Sequence, residues 1–314
     1  MTAPPTPRCS DAARLRDDPL YGTAPPAARL LLVEVPGPWG PTAISDSRLD
    51  RYAGGRLAEL AGSAGVRVLL IRRPGRHVLP PAGVPKAWAL ADLRPGREHV
   101  RWGTWRVEHD LLDLDLPAEL GAAAAGPQRV ALVCTHARHD VCCAVRGRPV
   151  AAALAGDGIE AARGWDVWEC SHVGGDRFAA NLLLVPSGQL FGSLDGPGAL
   201  AAVAAFDEGR LDVAHHRGRY GRPLVEQAAE HHLRVALGED RLGTVRPLRI
   251  EGGDPRWVVY LAAAGRRHRV SLVARWSEPA LLTCSAGRPD RVRRLEQERI
   301  EDVGPDHGPD ERPA

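Results

Sequence analysis

The sequence predicts an α/β protein. Apolar runs of strand length alternate with stretches in which leucine and alanine recur at helical spacing, and glycine and proline clusters mark the joints. One pair of short apolar runs is split by the tight turn Pro186-Ser187-Gly188, as in a hairpin. With 314 residues and 44% hydrophobic content, the chain can bury one large core or two ordinary ones.

The first element, Arg29–Val35, is a continuous apolar run ending at the turn-forming Pro36-Gly37-Pro38, and reads as a buried strand. From Ser45–Ser47 onward, apolar residues at helical spacing continue through Leu57, Leu60 and Ala61 until Gly62 and Gly65 stop the pattern. Val66–Ile71 is a second buried strand. Trp88–Leu93 and Trp102–His109 read as further strands, and Pro117–Ala125 as a short helix.

A second unit repeats the beginning of this pattern. Val130–Cys134 is a strand, Val141–Ala155 a helix, Trp165–Glu169 a strand, Asn181–Val185 with Gln189–Phe191 a hairpin, and Gly198–Phe206 a helix. A strand-helix-strand that returns parallel, followed by a hairpin and a helix, is the connectivity of a thioredoxin-like sheet, although other α/β sandwiches share its periodicity. The shared order admits two tandem thioredoxin-like units. The expected organisation is an N-terminal α/β domain over 1–126, a thioredoxin-like domain over 127–225 and a small C-terminal extension over 226–314. In that extension Leu224–Ala236 is a helix, Trp257–Ala262 and His268–Ala274 form a hairpin, and the charged, proline-rich tail from Asp302 is expected to be disordered.

Composition excludes several partners. The 41 basic residues are matched by 39 acidic ones spread along the chain, which leaves no footprint for nucleic acid or a membrane surface. Lys86 is the only lysine, so the abundance of arginine reflects general usage and carries no functional weight. The first ten residues hold three prolines and no apolar segment, and nowhere do about 18 uncharged apolar residues run together, so a cytoplasmic protein is expected. In a reducing compartment the six cysteines read as ligands or redox groups rather than disulfides.

Four of those cysteines fall in the second unit: Cys134 at the end of its first strand, Cys142 and Cys143 at the start of its helix, and Cys170 at the end of its second strand. A parallel sheet brings all three places to one edge, where open α/β sheets carry their chemistry. The loop between Cys134 and Cys143 can wrap a metal centre, whereas the adjacent Cys142 and Cys143 cannot easily chelate one ion together. Downstream, Cys170-Ser171-His172-Val173-Gly174-Gly175-Asp176 offers a thiol, an imidazole and a carboxylate, with glycines that permit close backbone approach. Zinc takes the same donors but is typically held by pairs spaced two to four residues apart, so the longer spacing makes it the less natural metal.

At these residues the chain resembles the sucrase/ferredoxin-like family, whose thioredoxin-like ferredoxin domain carries a Cys-x8-Cys motif followed by His-x3-His. Here they stand as Cys134 through Cys143 and as His172-Val173-Gly174-Gly175-Asp176, with aspartate at the last ligand position. Cys9-Ser10 and Gly22-Thr23-Ala24-Pro25 extend the resemblance. It implies a 2Fe-2S cluster held by Cys134, Cys143 and His172, with Asp176 or Cys170 as the fourth ligand. The implied function is that of a soluble electron carrier served by separate donor and acceptor proteins. No dinucleotide or phosphate-loop fingerprint is present to bring electrons in directly. Sucrose cleavage, which the family name suggests, needs two carboxylates about 5–10 Å apart across a sugar site, and no segment announces them.

The alternatives are a thiol-disulfide oxidoreductase, disfavoured by the absence of Cys-x-x-Cys, and a zinc-stabilised binding module. Cys142 reads as a packed spectator or a helix-N-terminal thiol, and Cys9 and Cys284 as ordinary reduced cysteines, with folding able to bring Cys9 close. His136 and His139 read as solvated or as tuning groups, and His215 and His216 as surface residues.

Overall fold

The computed structural model describes residues 7–75, 81, 83–156 and 164–306. Its first half comprises α1 (Cys9–Leu15), β1 (Arg29–Glu34), α2 (Arg51–Ser63), β2 (Arg67–Arg72), β3 (Lys86–Asp92), β4 (His99–Trp105), α3 (Glu108–Leu112) and α4 (Leu116–Gly121). The second half follows with β5 (Val130–Cys134), α5 (Val141–Gly156), β6 (Asp166–Cys170), a 3-10 turn (Asp176–Phe178), β7 (Leu182–Val185), β8 (Gln189–Phe191), α6 (Gly196–Asp207) and β9 (His216–Arg219). Then come α7 (Leu224–Leu237), β10 (Arg246–Gly253), β11 (Arg256–Ala263), β12 (Arg266–Trp276) and β13 (Arg293–Pro305).

The architecture is mixed α/β. Among the described residues the strands form two sheets, a large one in the order β4-β3-β1-β2-β6-β5-β7-β8-β9 and an antiparallel one in the order β10-β11-β12-β13. In the large sheet β1 and β2 run parallel, as do β5 and β6, and the order β4-β3-β1-β2 of the first half is matched by β8-β7-β5-β6 in the second. The halves meet at β2 and β6, which pair antiparallel through Ile71 with Cys170 and Arg72 with Glu169. Arg72 and Glu169 form a buried ion pair at 2.8 Å, and Arg72 also donates to the Gly37 carbonyl and lies over the Trp39 ring.

Both faces of this sheet are covered, which is why its inner strands read as unbroken apolar runs rather than alternating ones. Leu31 and Val33 pack toward Leu57 and Ala61 of α2, and Ala131 and Val133 toward Val150 and Leu154 of α5. Leu30, Leu32, Val130, Leu132 and Cys134 share the opposite face, in one core that spans the two halves.

Several boundaries differ from expectation for local reasons. Helix α2 starts at Arg51 rather than near Ser45, because the Asp50 carboxylate caps it by accepting the backbone N–H groups of Tyr52 and Ala53. The strand expected to reach His109 stops at Trp105, where the Asp110 carboxylate accepts the N–H groups of Arg106 and Val107 and starts α3. The predicted C-terminal hairpin is half of a four-stranded sheet. The tail expected to be disordered from Asp302 is ordered through Pro305, since β13 pairs along β12 and its charges meet partners across the ladder, Glu301 with Arg269 at 2.7 Å and Asp302 with Arg266. The rest of that tail, 307–314, lies outside the described residues. No described helix is long and apolar enough to cross a membrane.

His216, expected at the surface, is buried in β9, where its Nε2 lies 2.8 Å from Gln189 Oε1. Burial pulls its pKa down to about 3, so the folded chain keeps it neutral where the unfolded chain binds a proton. Stability therefore falls as pH drops below the ordinary histidine value, by about 2 kcal/mol at pH 5 from this residue. Urea denaturation at pH 7 and pH 5 should show a smaller acid loss in His216→Gln than in the parent; equal losses would remove His216 as the cause.

Candidate metal centre

Strand β5 ends at Cys134, and its neighbour Thr135 is fixed twice, by N–H donation to the Cys170 carbonyl and by its hydroxyl on Glu169. The chain then turns into α5, whose first turn is capped by Asp140 accepting the Cys142 N–H at 2.8 Å. The helix lies directly on the strand end. A Cβ at Gly147 would stand 2.1 Å from the Cys134 carbonyl oxygen, so only glycine allows this approach. Successive helical residues point about 100° apart. Cys143 consequently faces Cys134, whereas Cys142 faces away, toward Ser10 and Cys284.

The other donors come from the loop between β6 and β7. Gly174 and Gly175 both have positive φ (93° and 76°), and a Cβ on Gly175 would meet the Arg217 guanidinium at 2.4 Å. Arg217, on β9 and 1% exposed, donates to the Gly174 carbonyl, to Asn181 Oδ1, and to the hydroxyl and carbonyl of Thr23. Tyr220 donates its hydroxyl to the Val173 carbonyl, and Arg67 donates to the His172 carbonyl at 2.7 Å. The loop that presents His172 and Asp176 is thus held by its backbone from three directions.

These elements bring Cys134, Cys143, His172 and Asp176 together. The ligand atoms of Cys134, Cys143 and His172 lie within 4.8 Å of one another, as do those of His139, His172 and Asp176. The Cys143 thiol is 3.2 Å from Asp176 Oδ1. His172 Nδ1 is 2.8 Å from the same oxygen, an ion-pair contact when the imidazole is protonated. Thiol, imidazole and carboxylate donors this close together suit a cation between them. Two thiols, an imidazole and a carboxylate are a donor set that zinc or iron accepts.

The electrostatics point the same way. The neighbouring Cys143 thiol and the His172 imidazole hold the Cys134 thiol well below its ordinary value despite complete burial. Cys143 is raised, because its proton is held by Cys134, by burial and by Asp176. Burial opposes a charged His172, but Asp176 and Cys134 outweigh it and push its pKa up to about 9. Asp176 is lowered against its own burial by His172 and Cys143.

Cys170 stands opposite Cys134 in the β5–β6 register, wholly buried, and burial raises its thiol pKa. Its sulfur is not among the convergent donors. His136 is buried, with Nε2 2.7 Å from the Gly40 carbonyl, and His139 stacks on His172 with ring centres 4.0 Å apart. A cleft of about 230 Å³ opens onto His136, His139 and His172, walled by Thr42, Ile44 and Arg67.

Cys9, Cys142 and Cys284 are free cysteines, and with Asp140 they form a second group of convergent donors. Their approach depends on α1 and on the segment after β12, neither of which announced it. Arg217 and Tyr220 also went unread, because one more arginine in an arginine-rich chain carries no signal. Asp140 had one available signal, an aspartate immediately before a predicted helix.

No curated protein and no solved structure matches the chain. The profile of the sucrase/ferredoxin-like family matches residues 20–222, more than half of the chain, and includes Cys134, Cys143, His172 and Asp176. With the Cys-x8-Cys and His-x3-Asp segments converging inside that match, the chain belongs to the sucrase/ferredoxin-like family.

Proposed function

We propose that this protein carries a 2Fe-2S cluster on a thioredoxin-like sheet and transfers single electrons between separate protein partners. Cys134 and Cys143 would supply the thiolate pair, and His172 with Asp176 the nitrogen and oxygen pair. The observation that carries the reading is the convergence of the Cys134, Cys143 and His172 ligand atoms within 4.8 Å of one another, with the Asp176 carboxylate against Cys143 and His172. Asp176 is preferred to Cys170 as fourth ligand because its carboxylate already touches both Cys143 and His172.

Such a cluster supplies a one-electron couple whose potential rises when nitrogen replaces sulfur on one iron. The chain's own residues do the rest. Burial of Cys134 and Cys143 excludes water from the thiolate side, while the stacked rings of His136, His139 and His172 lead to the open cleft, where a partner can approach. Arg67, Arg217 and Tyr220 fix the loop backbone, so that His172 and Asp176 need not reorganise. The matched strand orders of the two halves support tandem thioredoxin-like units, assigned here to 1–126 and 127–225, with 226–314 as an extension. We read the protein as cytoplasmic, where free thiols persist.

A second reading has its own observation. The ligand atoms of Cys134, Cys143 and His172, within 4.8 Å of one another, are as close as the ligands of a single tetrahedral ion, which favours a zinc-stabilised binding module at the same residues. The discriminating experiment is anaerobic purification with iron and acid-labile sulfide assays, visible absorption, and EPR before and after dithionite. A coloured protein with about two irons and two sulfides, EPR-active only when reduced, is expected. A colourless protein that takes up no iron on reconstitution would transfer the site to zinc, and dithiol turnover by metal-free protein would transfer it to thiol chemistry through Cys134 and Cys143.

A further inference from the structure

We infer that Cys9, Cys142, Cys284 and Asp140 form a second, mononuclear zinc site that is separate from the centre described above. The adjacent cysteines on α5 are divided between two sites, Cys143 facing the first and Cys142 the second. Cys142 Sγ is 3.4 Å from Cys284 Sγ, Cys284 Sγ is 3.5 Å from Cys9 Sγ, and Cys9 Sγ is 3.4 Å from Asp140 Oδ2. All four ligand atoms lie within 4.8 Å of one another. Two thiolates bound to one tetrahedral zinc at about 2.3 Å stand about 3.8 Å apart, so a slight expansion of the group admits the ion.

The donor chemistry selects the metal. Three soft sulfurs and one carboxylate, with Cys284 at the exposed corner, make a four-donor set that suits zinc and needs no redox change. Asp140 is also a buried carboxylate set against thiols, a costly arrangement that a bound cation would neutralise. Asp140 is already oriented, with one oxygen accepting the Cys142 N–H and the other the Cys284 N–H at 2.7 Å. Ordering of a metal ligand by backbone donors is how such sites fix carboxylate direction. On binding, the three thiols release their protons to solvent.

The site ties together three distant segments. Cys9 lies on α1, Cys142 on the first turn of α5, and Cys284 in residues 277–292, a long connection between β12 and β13 with almost no regular structure of its own. Long connections inside a compact fold call for a staple, and a metal closing so distant a contact removes much chain freedom. Cys9 and Cys284 fall outside the residues matched by the family profile and Asp140 and Cys142 inside them, so the site joins the matched region to both flanks.

The test is run on full-length protein with the first centre disabled by Cys134→Ser, using zinc and cobalt(II) as probes. The protein is expected to bind about one equivalent of either metal, with thiolate-to-cobalt charge-transfer absorption, and Cys284→Ser on that background should abolish it. In otherwise unaltered protein Cys284→Ser should remove the zinc while leaving iron and sulfide unchanged, which separates this site from the first even if Cys134→Ser folds poorly. Zinc content unchanged by Cys284→Ser would overturn the inference. So would a Cys9–Cys284 or Cys142–Cys284 disulfide in anaerobically purified, alkylated protein.

Discussion

Cys134→Ser and Cys143→Ser are each expected to abolish iron binding at the proposed first centre, whereas Cys142→Ser should leave it loaded. The sulfur matters because a serine hydroxyl stays protonated at neutral pH and is a hard donor, while the depressed Cys134 thiol is ready to ligate. Removal of an outer partner of a metal site costs about 10–100-fold in affinity, and loss of a direct ligand costs more. Cys142, one residue away, points at Ser10 and Cys284 and contributes nothing to the first centre. Iron and sulfide analysis of the three purified variants checks this; iron lost only in Cys142→Ser would sink the ligand assignment. In the same series Asp176→Ala should deplete iron and Cys170→Ala should not, because Asp176 touches two other donors and the Cys170 sulfur is outside the group.

Arg217→Met is expected to cost about 3–5 kcal/mol of stability and to strip the first centre of metal, although Arg217 touches no ligand atom. The loss comes from the acceptors left behind. The carbonyls of Gly174 and Thr23 and the side chain of Asn181 are turned toward this one guanidinium, and each buried acceptor left without a donor costs about 1–3 kcal/mol. Some of that is offset, because burying the guanidinium is itself unfavourable and pulls its pKa down to about 10. Arg217→Lys should not rescue, since one ammonium cannot span acceptors on two loops as a planar fork does. Urea denaturation and metal content measured on both variants decide the matter. A Met variant with unchanged stability and full metal would mean that Arg67 and Tyr220 suffice to hold the loop.

The readable parts of the fold were those whose information is local. Strands β1, β2 and β5 announced themselves as apolar runs because both faces of their sheet are covered. The unreadable parts depend on partners far away in the chain. The end of β13, from Asp302, looks like the start of a disordered charged tail until Asp302 meets Arg266 on β12. His216 looks like a surface histidine until β9 closes the edge of the large sheet over it.

For the site, short-range pattern placed Cys134, Cys142, Cys143 and Cys170 at strand ends and a helix start on one sheet edge, and the resemblance to the family's motifs singled out Cys134, Cys143 and His172 as the donors. The tertiary structure alone sets the Asp176 carboxylate against Cys143 and His172 and leaves the Cys170 sulfur outside the convergent donors, because the fold of the loop, held by its backbone anchors, fixes where each side chain goes. It alone gave Cys142 a different destination from Cys143, through the rotation of about 100° per residue around α5. The gathering of Cys9, Asp140 and Cys284 belongs wholly to the folded chain, because contacts spanning up to 275 residues of sequence leave no local pattern to read.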